Sequence, residues 1–146
     1  MKLLLQRVTS ANVSVEGNVV GAIKKGFLLF LGVEESDTNE QLKFLVNKVL
    51  KLRVFENEKG KLDKSIVEVE GSILVVSQFT LCGSVKKGSR PSFSSAKKPE
   101  EAKKIYDHFI EMLNLNSELI IESGVFGADM KVELINDGPF TLFLES

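Results

Sequence analysis

Leu42, Leu45, Val46, Val49 and Leu50 recur at the spacing of one helical stripe, with Lys43, Asn47, Lys48 and Lys51 between them. Just upstream, Thr38-Asn39-Glu40-Gln41 fits a capping box, in which Thr38 accepts from the backbone and Gln41 reaches back. The spacing predicts a helix. A second helix is expected from Pro99, a residue suited to a first turn, with Ala102, Ile105, Tyr106, Phe109, Met112 and Leu113 as its buried face. Elsewhere the apolar positions alternate or run together. Residues 2–9 read as a strand marked by Leu3, Leu5 and Val8. Val13 and Val15 lead through Glu16-Gly17-Asn18 to Val19, Val20 and Ile23, a hairpin pattern. Phe27 to Val33, after the turn Lys24-Lys25-Gly26, reads as a strand buried on both faces. Residues 72–79 form the most β-rich run, and 118–123, 130–136 and 140–144 read as three more strands. Asn57 to Lys61 is a turn, and residues 82–98, which show no sustained period, read as a long loop of the kind that carries function or is disordered.

This pattern gives about seven strands and two helices, with no repeat, low-complexity segment or linker. One α+β domain over residues 1–146 is expected, its helices packed on a curled sheet. With 43% hydrophobic and 27% charged residues, the composition is that of a globular chain rather than a disordered one. The formal net charge is -1, so any nucleic-acid contact must come from a local patch. Cys82 is the single cysteine, which excludes an intrachain disulfide and fits a reducing compartment. No apolar run is long enough to span a membrane, and the N-terminal apolar stretch is too short for a signal-peptide core. A cytoplasmic location is the expectation.

Several chemistries lack their residues. The one histidine, His108, falls inside the second predicted helix and reads as a surface residue, while Cys82 has no evident base and reads as a small strand-end residue. There is no zinc spacing, nucleophile elbow, phosphate-binding loop or dinucleotide fingerprint. Gly124-Val125-Phe126-Gly127 matches the loop of a KH domain, but it joins two strands where that loop joins helices.

Two segments remain. Ser77-Gln78-Phe79-Thr80-Leu81 closes the most β-rich run. It is either an ordinary strand end or a pocket wall whose hydroxyls, amide and backbone N–H groups could hold an oxyanion during ester cleavage. Thr80 without a base is a poor nucleophile. Asn136-Asp137-Gly138-Pro139-Phe140-Thr141 sets a Gly-Pro bond between two strand patterns, where proline is confined to edges, first positions and bulges. Between Lys86 and Lys104 the chain is locally basic, with Lys86, Lys87, Arg90, Lys97, Lys98, Lys103 and Lys104 against Glu100 and Glu101. Such a run is a solvated face or, combined with Arg90-Pro91-Ser92-Phe93, a grip on phosphates and bases. Arg7 reads, on the residues alone, as a surface strand position.

In these segments the chain resembles the D-aminoacyl-tRNA deacylase family. The resemblance is carried by Gln6-Arg7-Val8, Ser77 to Leu81, Gly88-Ser89-Arg90-Pro91-Ser92-Phe93, Phe126-Gly127-Ala128-Asp129-Met130 and Asn136 to Thr141, in the family's order along the whole chain. Phe140 departs from the family's usual valine. The resemblance implies a barrel-like, antiparallel-rich sheet with two main helices packed on it. It implies a cytoplasmic homodimer that proofreads by hydrolysing the ester between a D-amino acid and the acceptor end of tRNA, without metal or cofactor. Ser77, Gln78, Phe79 and Thr80 then supply the catalytic wall, and Phe126 and Met130 line the site. Gly138 and Pro139, joined by a cis bond, reach into the partner's site, with Arg7 as their anchor. Lys86, Lys87 and Arg90 would meet the tRNA.

The expected selectivity is steric. Main-chain carbonyls of Gly138 and Pro139 would receive the substrate α-ammonium and block an L side chain, so glycyl-tRNA should also be cleaved. The vicinal ribose hydroxyl would assist the attacking water. A non-catalytic tRNA-binding module and a structural dimerisation domain are the alternatives.

Overall fold

A computed structural model describes residues 1–86 and 88–146. Its elements are strands β1 (Lys2–Val15), β2 (Asn18–Ile23) and β3 (Gly26–Gly32), helix α1 (Asn39–Lys51), strands β4 (Phe55–Glu56), β5 (Leu62–Lys64) and β6 (Ser72–Ser77), helix α2 (Pro99–Leu115), and strands β7 (Ile120–Ser123) and β8 (Lys131–Glu145). A 3-10 turn, Phe79–Cys82, follows β6.

The main sheet runs β2-β1-β3-β6-β7, with β8 on the other side of β1. β1 pairs antiparallel with β2, β3 and β8, whereas β3, β6 and β7 are mutually parallel neighbours. The parallel pairs follow from connectivity, because a strand that returns through a helix re-enters the sheet in its original direction. α1 makes the crossover from β3 to β6, and α2 the one from β6 to β7. A Cβ at Gly21 of β2 would stand 2.8 Å from the Ser123 carbonyl oxygen of β7, so the sheet curls until its two edges nearly meet. The α+β, barrel-like architecture expected from the sequence is the one observed.

Period-two alternation splits the strands between two cores. Phe27, Leu29 and Leu31 of β3 face the helices, together with Leu42, Leu45, Val46 and Val49 of α1 and Tyr106, Phe109 and Leu113 of α2. Leu28 points the other way, into a cluster with Val8, Val13, Ile23, Leu74 and Val76. β3 therefore reads as a continuous apolar run, as the sequence suggested. The Thr38 capping box is present in full, and Lys48 and Lys51 sit in the last turn of α1, where cations oppose the helix dipole.

Three boundaries differ from expectation. The first strand pattern and the first arm of the hairpin are one strand, β1, because register shifts around Val8 let it change which face it buries. β6 stops at Ser77, since Gln78 to Cys82 turn rather than extend. The two C-terminal strand patterns, 130–136 and 140–144, are a single strand, β8, that passes through Gly138-Pro139. The proline bulges the strand without ending it.

Candidate active site

The carboxyl ends of β3, β6 and β7 converge, as ligand-binding ends do in parallel sheets. Ser77 ends β6, and the Gln78 N–H donates to the Leu31 carbonyl at 2.8 Å, which pins the chain to the end of β3. The 3-10 turn then opens. Its internal bonds are Leu81 N–H to Gln78 carbonyl at 3.2 Å and Gly83 N–H to Thr80 carbonyl at 3.0 Å. Among the described residues, the N–H groups of Phe79 and Thr80 have no backbone acceptor. The Gln78 amide donates to the Thr80 hydroxyl, and both Phe79 and Thr80 are exposed. This end of the sheet thus presents two free backbone donors beside an oriented hydroxyl.

Phe126 and Met130 belong to the loop that leaves β7 at the same end. The Gly124 N–H donates to the Val75 carbonyl at 2.9 Å, which ties the loop to β6. The Phe126 ring lies 5.5 Å from that of Tyr106, and Met130 packs on the second core. Tyr106 donates from its buried hydroxyl to the Val75 carbonyl at 2.8 Å. Burial drives its phenol pKa well above the ordinary value.

The second predicted segment is built around Arg7. Gln6 pairs with Thr141 and Val8 with Asn136, so β8 carries five steps where β1 carries two. The surplus forms a bulge of Asp137, Gly138, Pro139 and Phe140. The Asn136 side chain closes it: its amide oxygen accepts from the Phe140 N–H at 2.7 Å, and its NH2 donates to the Phe140 carbonyl at 3.0 Å. One side chain replaces both bonds that a neighbouring strand would have supplied. Arg7 braces the bulge from behind. Its Nε donates to the Asp137 carbonyl at 2.8 Å, another guanidinium nitrogen donates to the Val54 carbonyl, and its charge lies 4.9 Å from the Phe140 ring centre.

Arg7 is only 9% exposed, which corrects its reading from the residues alone as a surface position; the anchoring role implied by the family resemblance fits this geometry. Gly138 and Pro139 are exposed, and their peptide bond is cis. A Cβ on Gly138 would lie 2.1 Å from the Phe140 nitrogen, so only glycine fits there. Sequence reasoning passed over Asn136 as a positioning residue, although it opens the motif.

Within one chain the two segments do not meet. The bulge is level with Arg7, which pairs with Phe27, whereas the 3-10 turn hangs from Leu31. Four residues of strand separate these levels, about 13 Å, and the bulge lies two strand spacings across, about 10 Å. Between them Phe143, Leu4 and Phe30 stand side by side on adjacent strands, with Phe143 49% exposed.

The remaining predicted residues divide. Lys86 and Arg90 are exposed on a loop pinched by reciprocal bonds between Ser84 and Ser92, at 2.8 and 2.9 Å. Lys87 lies outside the described residues. Lys97 is drawn back to the Glu35 carbonyl, and Lys103 pairs with Asp107, so part of the basic run serves structure. His108 sits on α2 beside Glu111, away from both segments. Cys82 is buried and free, and desolvation raises its thiol pKa. Among the described residues, no group of three or more His, Cys, Asp or Glu side chains could hold a metal ion, and no helix is long and apolar enough to cross a membrane.

Residues 4–145 match the family model described as D-Tyr-tRNA(Tyr) deacylase. The chain is 50% identical to a protein of Thermosipho melanesiensis named D-aminoacyl-tRNA deacylase, across 100% of this chain and 97% of that one. It is 51% identical to a protein of the same name from a Nitratiruptor species, across 100% and 98%. A solved structure described as a c-Myc DNA unwinding element binding protein superposes with a TM-score of 0.96 at 44% identity, covering 100% of this chain and 99% of that one. A second, a probable eukaryotic D-amino acid tRNA deacylase, superposes with a TM-score of 0.83 at 21% identity over 98% and 97%, a likeness of fold.

Proposed function

Because the chain belongs to the D-Tyr-tRNA(Tyr) deacylase family, we propose that it hydrolyses the ester of D-aminoacyl-tRNA at a site shared between two copies of itself. The observation that carries this reading is the pair of N–H groups at Phe79 and Thr80 that have no backbone acceptor among the described residues. Ester hydrolysis passes through a tetrahedral oxyanion, and fixed backbone donors at that position stabilise it without reorganising. The attacking water is assisted by the vicinal hydroxyl of the terminal ribose, and Thr80 orients groups rather than acting as nucleophile.

Selectivity comes from the bulge. D and L esters have the same hydrophobicity and differ only in which way the side chain projects. The carbonyls of Gly138 and Pro139 receive the α-ammonium and close the side on which an L residue would extend. A wall of main chain, braced by Arg7 and Asn136, yields less than a rotatable side chain. It rejects by size, so glycyl-tRNA is cleaved too. The separation of the bulge from Thr80 within one chain supports a homodimer in which each bulge serves the partner's site. The half-open Phe143–Leu4–Phe30 patch between them supports the same reading. Lys86 and Arg90 lie on the loop that would meet the acceptor end, and Lys87, by sequence, would join them. Soluble action in the cytoplasm is part of the proposal.

Subunit mixing tests the shared site. Phe79→Pro removes a catalytic N–H, and Gly138→Ala disrupts the bulge. Each homodimer should be nearly inactive. Mixed dimers should regain activity, because one of their two sites combines an intact turn with an intact bulge. Mixed dimers as inactive as their parents would place both segments in one subunit's site and refute the proposal. A nucleic-acid binder without hydrolysis is the second reading, favoured by the description of the 44% identical structure. Such a protein would hold D-aminoacyl-tRNA without releasing the amino acid.

A further inference from the structure

Arg7 reaches three acceptors at once: the Val54 carbonyl, the Asp137 carbonyl at 2.8 Å and, at 3.4 Å, an Asp137 carboxylate oxygen. A long side chain with several rotatable bonds keeps one such pose only where its surroundings exclude the others. Two aromatic rings supply that confinement. The Phe140 ring centre lies 4.9 Å from the guanidinium carbon, and the Phe55 ring centre lies 6.0 Å from it. Phe55 is fixed in turn, since it is buried and stacks on Phe27 with centroids 5.2 Å apart and planes at 22°. Planar guanidinium groups pack on such faces and are attracted to them. Val54 and Phe55 thus receive Arg7 with a carbonyl and then a ring, while Phe140 meets it from the bulge.

Phe140 touches every part of the bulge that has to stay still. Its N–H and carbonyl are both held by the Asn136 side chain, and its ring lies against Arg7. A Cβ on Gly138 would stand 2.9 Å from the Phe140 Cβ, so the stem of this side chain lies directly behind the glycine. These contacts are made within one chain. Phe140, Leu142 and Leu144 pack on the core shared with the helices, whereas alternation turns Phe143 to the opposite face. A partner that covers Phe143 therefore leaves them in place. We infer that Phe140 is a positioning residue that sets stereoselectivity: its ring, with Phe55, clamps the Arg7 fork and so fixes the carbonyl wall of Gly138 and Pro139. This deepens the deacylase reading and rests on it. The wall sorts by shape, so a clamp that limits its movement limits which mirror image fits.

A double-mutant cycle isolates the ring. Phe140→Leu keeps an apolar side chain but removes the aromatic face, and Phe140→Tyr retains one. Release of amino acid is measured from one tRNA carrying a D-amino acid and then its L enantiomer. In Phe140→Leu the ratio of D to L kcat/KM should fall about tenfold, with the L rate rising as the wall gains freedom. Phe140→Tyr should keep most of the original ratio. Where Arg7→Met has already removed the cation, Phe140→Leu should change the ratio no further. A residue that only fills the core would act alike in both backgrounds. An unchanged ratio in Phe140→Leu, or an equal fall with and without the arginine, would overturn the clamp.

The Arg7 Nε–H resonance of 15N-labelled protein gives a readout that needs no substrate. The chain has three arginines, so the signal is identified by its loss in Arg7→Met. It should move when Phe140→Leu removes the ring current and stay close to its place in Phe140→Tyr. A moving resonance supports the clamp even if no ester is cleaved, in which case the deacylase reading alone fails. Turnover with a resonance that Phe140→Leu leaves in place keeps the deacylase reading and removes the clamp.

Discussion

Arg7→Met tests whether the bulge depends on its brace. Methionine keeps the apolar stem but removes every donor. The Val54 carbonyl is buried and loses its guanidinium partner, a cost of about 1–3 kcal/mol. The Asp137 carbonyl, bonded at 2.8 Å, is only partly buried and can recruit water, so its loss adds about 0.5–1.5 kcal/mol. Contact of the charge with the Phe140 ring at 4.9 Å contributes about 0.5–1 kcal/mol. Against this, no guanidinium needs to be desolvated any longer, which returns part of the total. The net loss is about 2–3 kcal/mol, or a fall in melting temperature of about 4–12 °C at fixed protein concentration.

The functional effect should be larger than the stability effect. The brace holds the main chain that we propose meets the substrate, and a displacement of about 1 Å there would lower turnover about 100-fold. Urea melts give the first quantity, and release of free amino acid from D- and L-aminoacyl-tRNA gives the second. The D rate should fall while the L rate holds or rises. A variant within about 0.5 kcal/mol of the original in stability, with an unchanged ratio of D to L rates, would refute the bracing argument.

Phe79→Pro removes the N–H at the first residue of the 3-10 turn, a position where proline costs no backbone hydrogen bond among the described residues. Its kcat should fall about 100-fold or more below that of Phe79→Leu, and equal kcat values would discount the N–H. Thr80→Ala should keep substantial single-turnover activity while a 2′-deoxy terminal adenosine makes a poor substrate; the reverse pattern would make Thr80 the nucleophile. Tyr106 is the only tyrosine, so alkaline difference absorbance reports it alone. Because folding raises its pKa, its contribution to stability is complete below the ordinary tyrosine value of about 10 and is lost as pH rises above it. Ionisation should coincide with unfolding, and a phenolate formed in the folded protein near the ordinary value would contradict the burial.

Local signals made the first helix legible. Its cap, stripe and terminal charges all agree, and the same residues perform those tasks in the fold. The continuous apolar run of β3 was legible for a similar reason, since both of its faces are covered. β8 was not, because proline removes a donor and local rules end a strand there. The chain continues through it because Asn136 and Arg7, the latter 130 positions away in sequence from Asp137, supply the missing bonds. Arg7 itself alternates with Leu3 and Leu5, a pattern that places it inward, but charge argues for the surface. Only the Val54 and Asp137 carbonyls resolve the conflict. The 3-10 turn proposed as catalytic was visible as a segment, whereas its N–H groups without a backbone acceptor among the described residues depend on where β6 stops, one of the least legible features of any sequence.

Deacylation of one tRNA carrying in turn a D-amino acid, its L enantiomer and glycine measures the main-chain barrier most directly. The D and glycyl esters should be cleaved at comparable kcat/KM, and the L ester should survive. An L ester cleaved as fast as its mirror image, or a glycyl ester as durable as the L, would contradict a backbone wall that sorts by shape.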